Sequence, residues 1–181
     1  TPMIFKKTTI KRTIASLTIV GLTGCLGLIT LILHPQTLIA KQGKYRTVSY
    51  HSINSVNVEI EGLLDSAFSL IQESEIYDSS YQYDLFFAHK TCYNILDSRI
   101  LGSWAAARAV HNNIIVKIET DLGKHLALME DNQFHMAYLL AHEMIHCLQA
   151  NHYGMIAFNP LNHPPIWKLE GYPEYISRGR F

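Results

Sequence analysis

A chain of 181 residues suits one domain, and 48% hydrophobic content supplies a core with apolar residues to spare. Lys and Arg number 15, as do Asp and Glu, for a net charge of zero and a pI of about 7.1. That balance lacks the basic excess needed to hold a nucleic-acid backbone, so no nucleic-acid partner is expected.

Residues 1–12 form a basic flank with Lys6, Lys7, Lys11 and Arg12, and residues 13–33 then contain no charge. At 1.5 Å per helical residue this run spans roughly 30 Å, the thickness of a bilayer core, and reads as a transmembrane anchor. A cleaved signal peptide fits less well. Its apolar region is usually about 7–15 residues, and Leu38-Ile39-Ala40 is a poor small-x-small cleavage site. Leu22-Thr23-Gly24-Cys25 resembles a lipobox, but the apolar run continues through Leu33, so Cys25 reads as an ordinary helix residue. The positive-inside rule puts the flank in the cytoplasm and the domain outside, a bias that Lys41, Lys44 and Arg46 weaken.

Residues 34–44 read as a linker into a domain at 45–181. A first strand is expected at 45–53 from its alternation, and a helix at 55–74. In that helix Ile60, Leu63, Leu64, Ala67, Phe68 and Ile71 repeat at helical spacing, while Glu59, Glu61, Asp65 and Glu73 take the outer face. Tyr77, Tyr81 and Tyr83 fall in a polar stretch with Ser79 and Ser80, as a loop or as the lining of a binding surface. A strand at 84–88, a short helix at 90–98 and a connection at Gly102, Ser103 and Trp104 follow. The β-branched run at 111–118 reads as a strand, and 119–131 as a loop with a little helix. Cys92 and Cys147 are the one internal pair left once Cys25 is assigned to lipid, and both read as small buried residues.

Residues 132–150 read as one helix, with Asp131 or Asn132 as N-cap. Ala137, Leu140, Ala141, Met144, Ile145 and Leu148 form its core stripe, and His135, Tyr138, His142, His146 and Gln149 form a second line facing a cleft or solvent. Within it stands His142-Glu143-Met144-Ile145-His146. Residues four apart on a helix lie one above the other, so two imidazoles at this spacing can grip one metal ion. Zinc lowers the pKa of a bound water to about 7, and a flanking carboxylate, here Glu143, can take the proton as that water attacks a carbonyl.

A catalytic zinc usually takes a third protein ligand. His152 lies at the offset of the pattern His-Glu-x-x-His-x-x-Gly-x-x-His, but Gln149 occupies the place of its glycine and no Met-turn follows. Glu170 lies in Trp167-Lys168-Leu169-Glu170-Gly171-Tyr172, with Glu174 one turn on. Residues 151–165, with Gly154, Pro160, Pro164 and Pro165, read as an irregular crossing that carries His163 as a weaker ligand candidate. Pro173 is tolerated only in the first turn of a helix, so the Glu170 helix should start no earlier than Leu169.

The two motifs over residues 132–178 resemble those of zincin metallopeptidases of the gluzincin type, whose third ligand comes from a Trp-x-x-Glu-Gly-aromatic segment. The resemblance implies a small α+β domain with a mixed or antiparallel sheet and an active-site helix, here behind a transmembrane helix. It implies one Zn2+ held by His142, His146 and Glu170, with Glu174 orienting a ligand histidine. It also implies that the strand before the metal helix borders the cleft and can pair with an extended substrate. The aminopeptidase motif Gly-x-Met-Glu-Asn is missing, which favours a generic small gluzincin.

The expected activity is hydrolysis of a peptide bond in a peptide or protein substrate, with Glu143 as general base and Tyr172, Tyr175, Tyr153 or Arg178 as a second oxyanion donor. The alternatives are cleavage of a non-peptide amide and, outside enzymes, an inactive zincin-like binding or scaffold domain on a membrane anchor. The start at Thr1 and the stop at Phe181, just beyond the second motif, fit a piece of a longer protein.

Overall fold

Three neighbouring strands buried on both faces set up the architecture. A computed structural model describes residues 2–53, 60–102, 105–129, 132–154 and 165–178. Its larger sheet contains β1 (Lys41–Tyr45), β2 (Val48–Ser52), β3 (Tyr83–Phe87), β4 (Ala107–Val110) and β5 (Asn113–Val116), in the spatial order β1-β2-β3-β5-β4. The three central strands run parallel, whereas β1 and β4 pair antiparallel at the two edges, so the sheet is mixed. Val48, Tyr83, Leu85, Ile114 and Val116 look to one face and Phe86, Ala88 and Ile115 to the other, the period of two that a sheet buried on both sides requires.

Each face is covered by a helix that returns the chain between parallel strands. On the first face α2 (Ile60–Ile71) buries all six residues expected of it; positions 55–59 of the predicted helix lie outside the described residues. On the second face α3 (Cys92–Leu101), capped by Thr91 Oγ1 accepting from Asn94 N–H at 3.1 Å, covers Ile39, Phe86 and Ile115 with Tyr93. It runs three residues past the expected end and stops at Gly102, whose φ of +92° suits glycine.

Three expectations are corrected. Residues 34–44 include a 3-10 turn at Pro35–Thr37, the fully buried Ile39 and the edge strand β1. A strand without a buried face carries no alternation to read. Ala107–Val110, given no element, are β4, and β5 is consequently an interior strand with neighbours on both sides. Residues 119–135, read as a loop with a little helix and the start of a longer one, do contain a 3-10 helix at Leu122–Lys124, but around it lie β6 (Glu119–Asp121), β7 (Leu126–Met129) and β8 (Asn132–His135), an antiparallel three-stranded sheet.

The metal-motif helix, α4 (Met136–Tyr153), therefore begins four residues later than expected. Met136 N–H donates to His125 O at 2.8 Å, which fixes the passage from strand to helix. The helix packs its Leu140, Ala141, Met144, Ile145 and Leu148 against α2 and the first sheet face. It ends at Gly154, φ +83°. Residues 155–164, His163 among them, lie outside the described residues. After a single turn, α5 (Ile166–Leu169), α6 (Gly171–Ser177) packs back on α4, with α5 against α6.

At the other end of the chain α1 (Pro2–Leu33) includes Ala15–Leu33, long and apolar enough to cross a membrane, a property that signal sequences share.

Candidate metal centre

Because the core stripe of α4 is committed to α2 and the sheet, His142 and His146 emerge on the side turned to α5 and α6. Their Nε2 atoms stand 3.1 Å apart. Glu170 comes from the junction of α5 and α6, where Pro173, having no N–H to give, is accommodated in the first turn of the new helix. Its Oε2 lies 3.4 Å from His146 Nε2 and 3.5 Å from His142 Nε2. Among the described residues these three side chains form a group able to hold a metal ion.

The histidine orientations have causes. Gln149, fully buried, has Oε1 at 3.2 Å from His146 Nδ1 and donates through Nε2 to Lys168 O at 2.8 Å. One amide thus steers a ring and ties α5 to α4. With Oε1 accepting, the ring proton sits on Nδ1 and the Nε2 lone pair faces the cluster. Glu174 Oε2 stands 3.5 Å from His142 Nδ1, and the Arg178 guanidinium pairs with the same carboxylate. Three lone-pair donors therefore converge. A shared proton can satisfy two of them, whereas a metal ion can satisfy all three.

Electrostatics follow from that crowding. Burial and the neighbouring His146 ring hold the His142 imidazole below its ordinary pKa. Burial also opposes the charge on His146, but the Glu170 hydrogen bond and the Glu143 and Glu170 charges outweigh it and raise that ring. Bonded to His146, the Glu170 carboxyl is held below the usual carboxylate range. Glu143, buried between α4 and β4, is pushed up to about 7 by desolvation, with His146, the Ala109 backbone and Arg108 pulling the other way.

These groups share a cavity of about 1070 Å³ with Arg178 and with β4, whose Ala107 and Ala109 face α4. The edge strand beside the cleft is thus β4 and not the run at 111–118. Sequence reading missed it because Ala105-Ala106-Ala107-Arg108-Ala109 has no β preference. Tyr138, 46% exposed, and Arg108 also line the cavity and were given no role in advance. Gln149 was noted for its place in the histidine line, and its spacing of three from His146 was the available signal.

Of the remaining candidates all but Arg178 sit outside the cavity lining. His152 is exposed, with its ring 4.7 Å from that of Tyr153. Lys168 Nζ lies 4.5 Å from the Tyr153 ring. Tyr172 Oη is bonded to Ser74 Oγ at 2.8 Å, linking α6 to the turn after α2, and Tyr175 is 53% exposed. Of the four proposed oxyanion donors, Arg178 is the one that lines the cavity. Tyr77 and Tyr81 pack at the edge of the main core, which Tyr83 enters fully. Cys147 is buried, as expected, while Cys92 is exposed.

No protein-family model, curated protein or solved structure matches this chain. A functional reading therefore has to stand on the cluster and its cavity.

Proposed function

We propose that the chain is a membrane-anchored, zinc-dependent peptidase of zincin-like fold and gluzincin type. The observation that carries the reading is the donor spacing. Ligand atoms at about 2.0–2.1 Å from a tetrahedral zinc stand about 3.3 Å from each other. The three separations between His142 Nε2, His146 Nε2 and Glu170 Oε2 are 3.1, 3.4 and 3.5 Å. Two nitrogens and one carboxylate are a common donor set for catalytic zinc.

Zinc held there would supply a water activated near neutral pH and a Lewis acid for the scissile carbonyl. The chain's own residues do the rest. His142, His146 and Glu170 bind the ion, while Gln149 and Glu174 orient the two rings through their Nδ1 atoms. Glu143, raised towards neutrality by burial, takes a proton on its carboxylate and returns it to the leaving amine. Arg178 is the donor best sited for a developing oxyanion. An extended substrate pairs with the free side of β4, whose position at the sheet edge and in the cavity wall favours strand addition.

Zinc stoichiometry tests this directly. The full chain should bind one ion; Glu170→Gln should weaken it and His152→Gln should not. A folded chain that takes up no zinc would sink the hydrolase reading and leave an anchored binding domain.

A further inference from the structure

The cavity that holds the metal cluster has a second, apolar end. Its wall there is made by Ile32 and Leu33, the last two residues of α1, by Leu101 at the end of α3, and by Ala105 and Ala106. The end of α1 is built into the domain and does not hang from a loose tether. Tyr93 Oη donates to Ile32 O at 2.9 Å, Asn113 Nδ2 donates to Leu33 O at 3.3 Å, and Ile32 is 8% exposed. A helix of bilayer length thus finishes inside the wall of the cleft. The cleft mouth must lie within a few residues of the membrane surface, for the chain has no slack in which to swing away.

A second observation points to the same side. Next to the end of α1, α3 leaves Ile95, Ile100 and Leu101 exposed. Apolar side chains that water would otherwise cover are what a surface resting on lipid presents. α2, on the opposite face of the sheet, turns Glu61, Ser66 and Ser69 outward instead.

We propose that the cleft opens at the membrane surface and that its substrates are apolar, extended segments of polypeptides anchored in the same bilayer. The proposal rests on the anchored-peptidase reading and narrows it. The apolar end receives side chains of such a segment as it leaves the lipid, and the edge of β4 receives its backbone. Confinement of both chains to one bilayer raises their effective concentration, so weak apolar contacts suffice for selection.

The test needs neither metal nor turnover. The full chain, carrying a benzophenone amino acid in place of Val110 on β4, is reconstituted in phosphatidylcholine vesicles with a single-span polypeptide. Its Leu/Ala-rich segment follows the span directly or after a long Gly/Ser spacer. Photocapture of the adjacent segment should exceed that of the spaced one by roughly tenfold; equal capture overturns the proposal. A fluorophore at Ile95→Cys, in a chain with Cys25→Ala and Cys92→Ala, should be quenched by shallow doxyl lipids, and one at Ser66→Cys should not. Equal quenching at the two positions also overturns it. A chain that binds no zinc yet captures the adjacent segment would retain the membrane-facing cleft and lose the peptidase, whereas a zinc-binding chain without preference would lose the cleft assignment alone.

Discussion

Two polar clusters flank β4, and they are resolved in opposite ways. On the α3 side Asp97, 1% exposed, meets Arg108 at 3.0 Å and Lys117 at 2.7 Å, and Lys117 Nζ also donates to Gly102 O at 2.8 Å. On the α4 side His142, His146 and Glu170 turn three acceptors toward one point. In the first cluster every charge faces its opposite, so it needs nothing from outside. In the second the lone pairs face one another, an arrangement that a cation would satisfy. Close-set polar groups are common to both, and the arrangement of their charges and lone pairs separates the two.

The sharpest way to break the comparison is at Glu143, which belongs to the open cluster without being a ligand. Glu143→Gln should keep zinc and lose about 10²- to 10⁴-fold in peptide turnover, the usual worth of a general base. Normal turnover would remove the assigned role. Asp97→Asn attacks the closed cluster. The buried Lys117 and the half-buried Arg108 lose their counter-charge, which should cost about 3–5 kcal/mol of stability, read as a lower Tm in the zinc-free chain. If stability held and zinc affinity fell instead, the two clusters would not be separable. The next effect down is at Gln149, whose replacement by Leu removes both the His146 contact and the tie to Lys168. Zinc affinity measured by calorimetry should fall about 10- to 100-fold, and an unchanged affinity would leave α5 and α6 holding Glu170 unaided.

How much of this was legible in the sequence depended on where each signal was stored. α2 was readable because Ile60, Leu63, Leu64, Ala67, Phe68 and Ile71 record its buried face in their spacing. The convergence of His142, His146 and Glu170 was readable because helical geometry and a local motif carry it. The small sheet of β6, β7 and β8 was not, since its strands are 3 or 4 residues long and exist only through one another. β4 was hidden twice over. Its alanines carry no strand preference, and Arg108 is held by Asp97, 11 residues away in sequence. The burial of Ile32 beside Tyr93 was equally invisible, because an apolar run long enough for lipid reads the same wherever it ends.

The smallest expected effect is a pH dependence that again separates the clusters. In the metal-free folded chain burial disfavours the Glu143 charge and pushes its pKa up to about 7 from an ordinary value of 4.5. Between those values the folded chain holds a proton that the unfolded chain has released. Stability must therefore fall as pH rises across that window. His146, also raised, adds to the fall at the upper end, since its protonated contribution is lost as pH passes its folded value. His142, held below its ordinary value, works in the opposite sense. The contribution of Glu143 is isolated by replacement: Tm of the metal-free chain should drop by a few degrees from acid to neutral pH, and Glu143→Gln should flatten most of that drop. A parent and a variant with parallel Tm profiles would mean that Glu143 reaches solvent, and the proton it is assigned to carry would then have no sheltered place to reside.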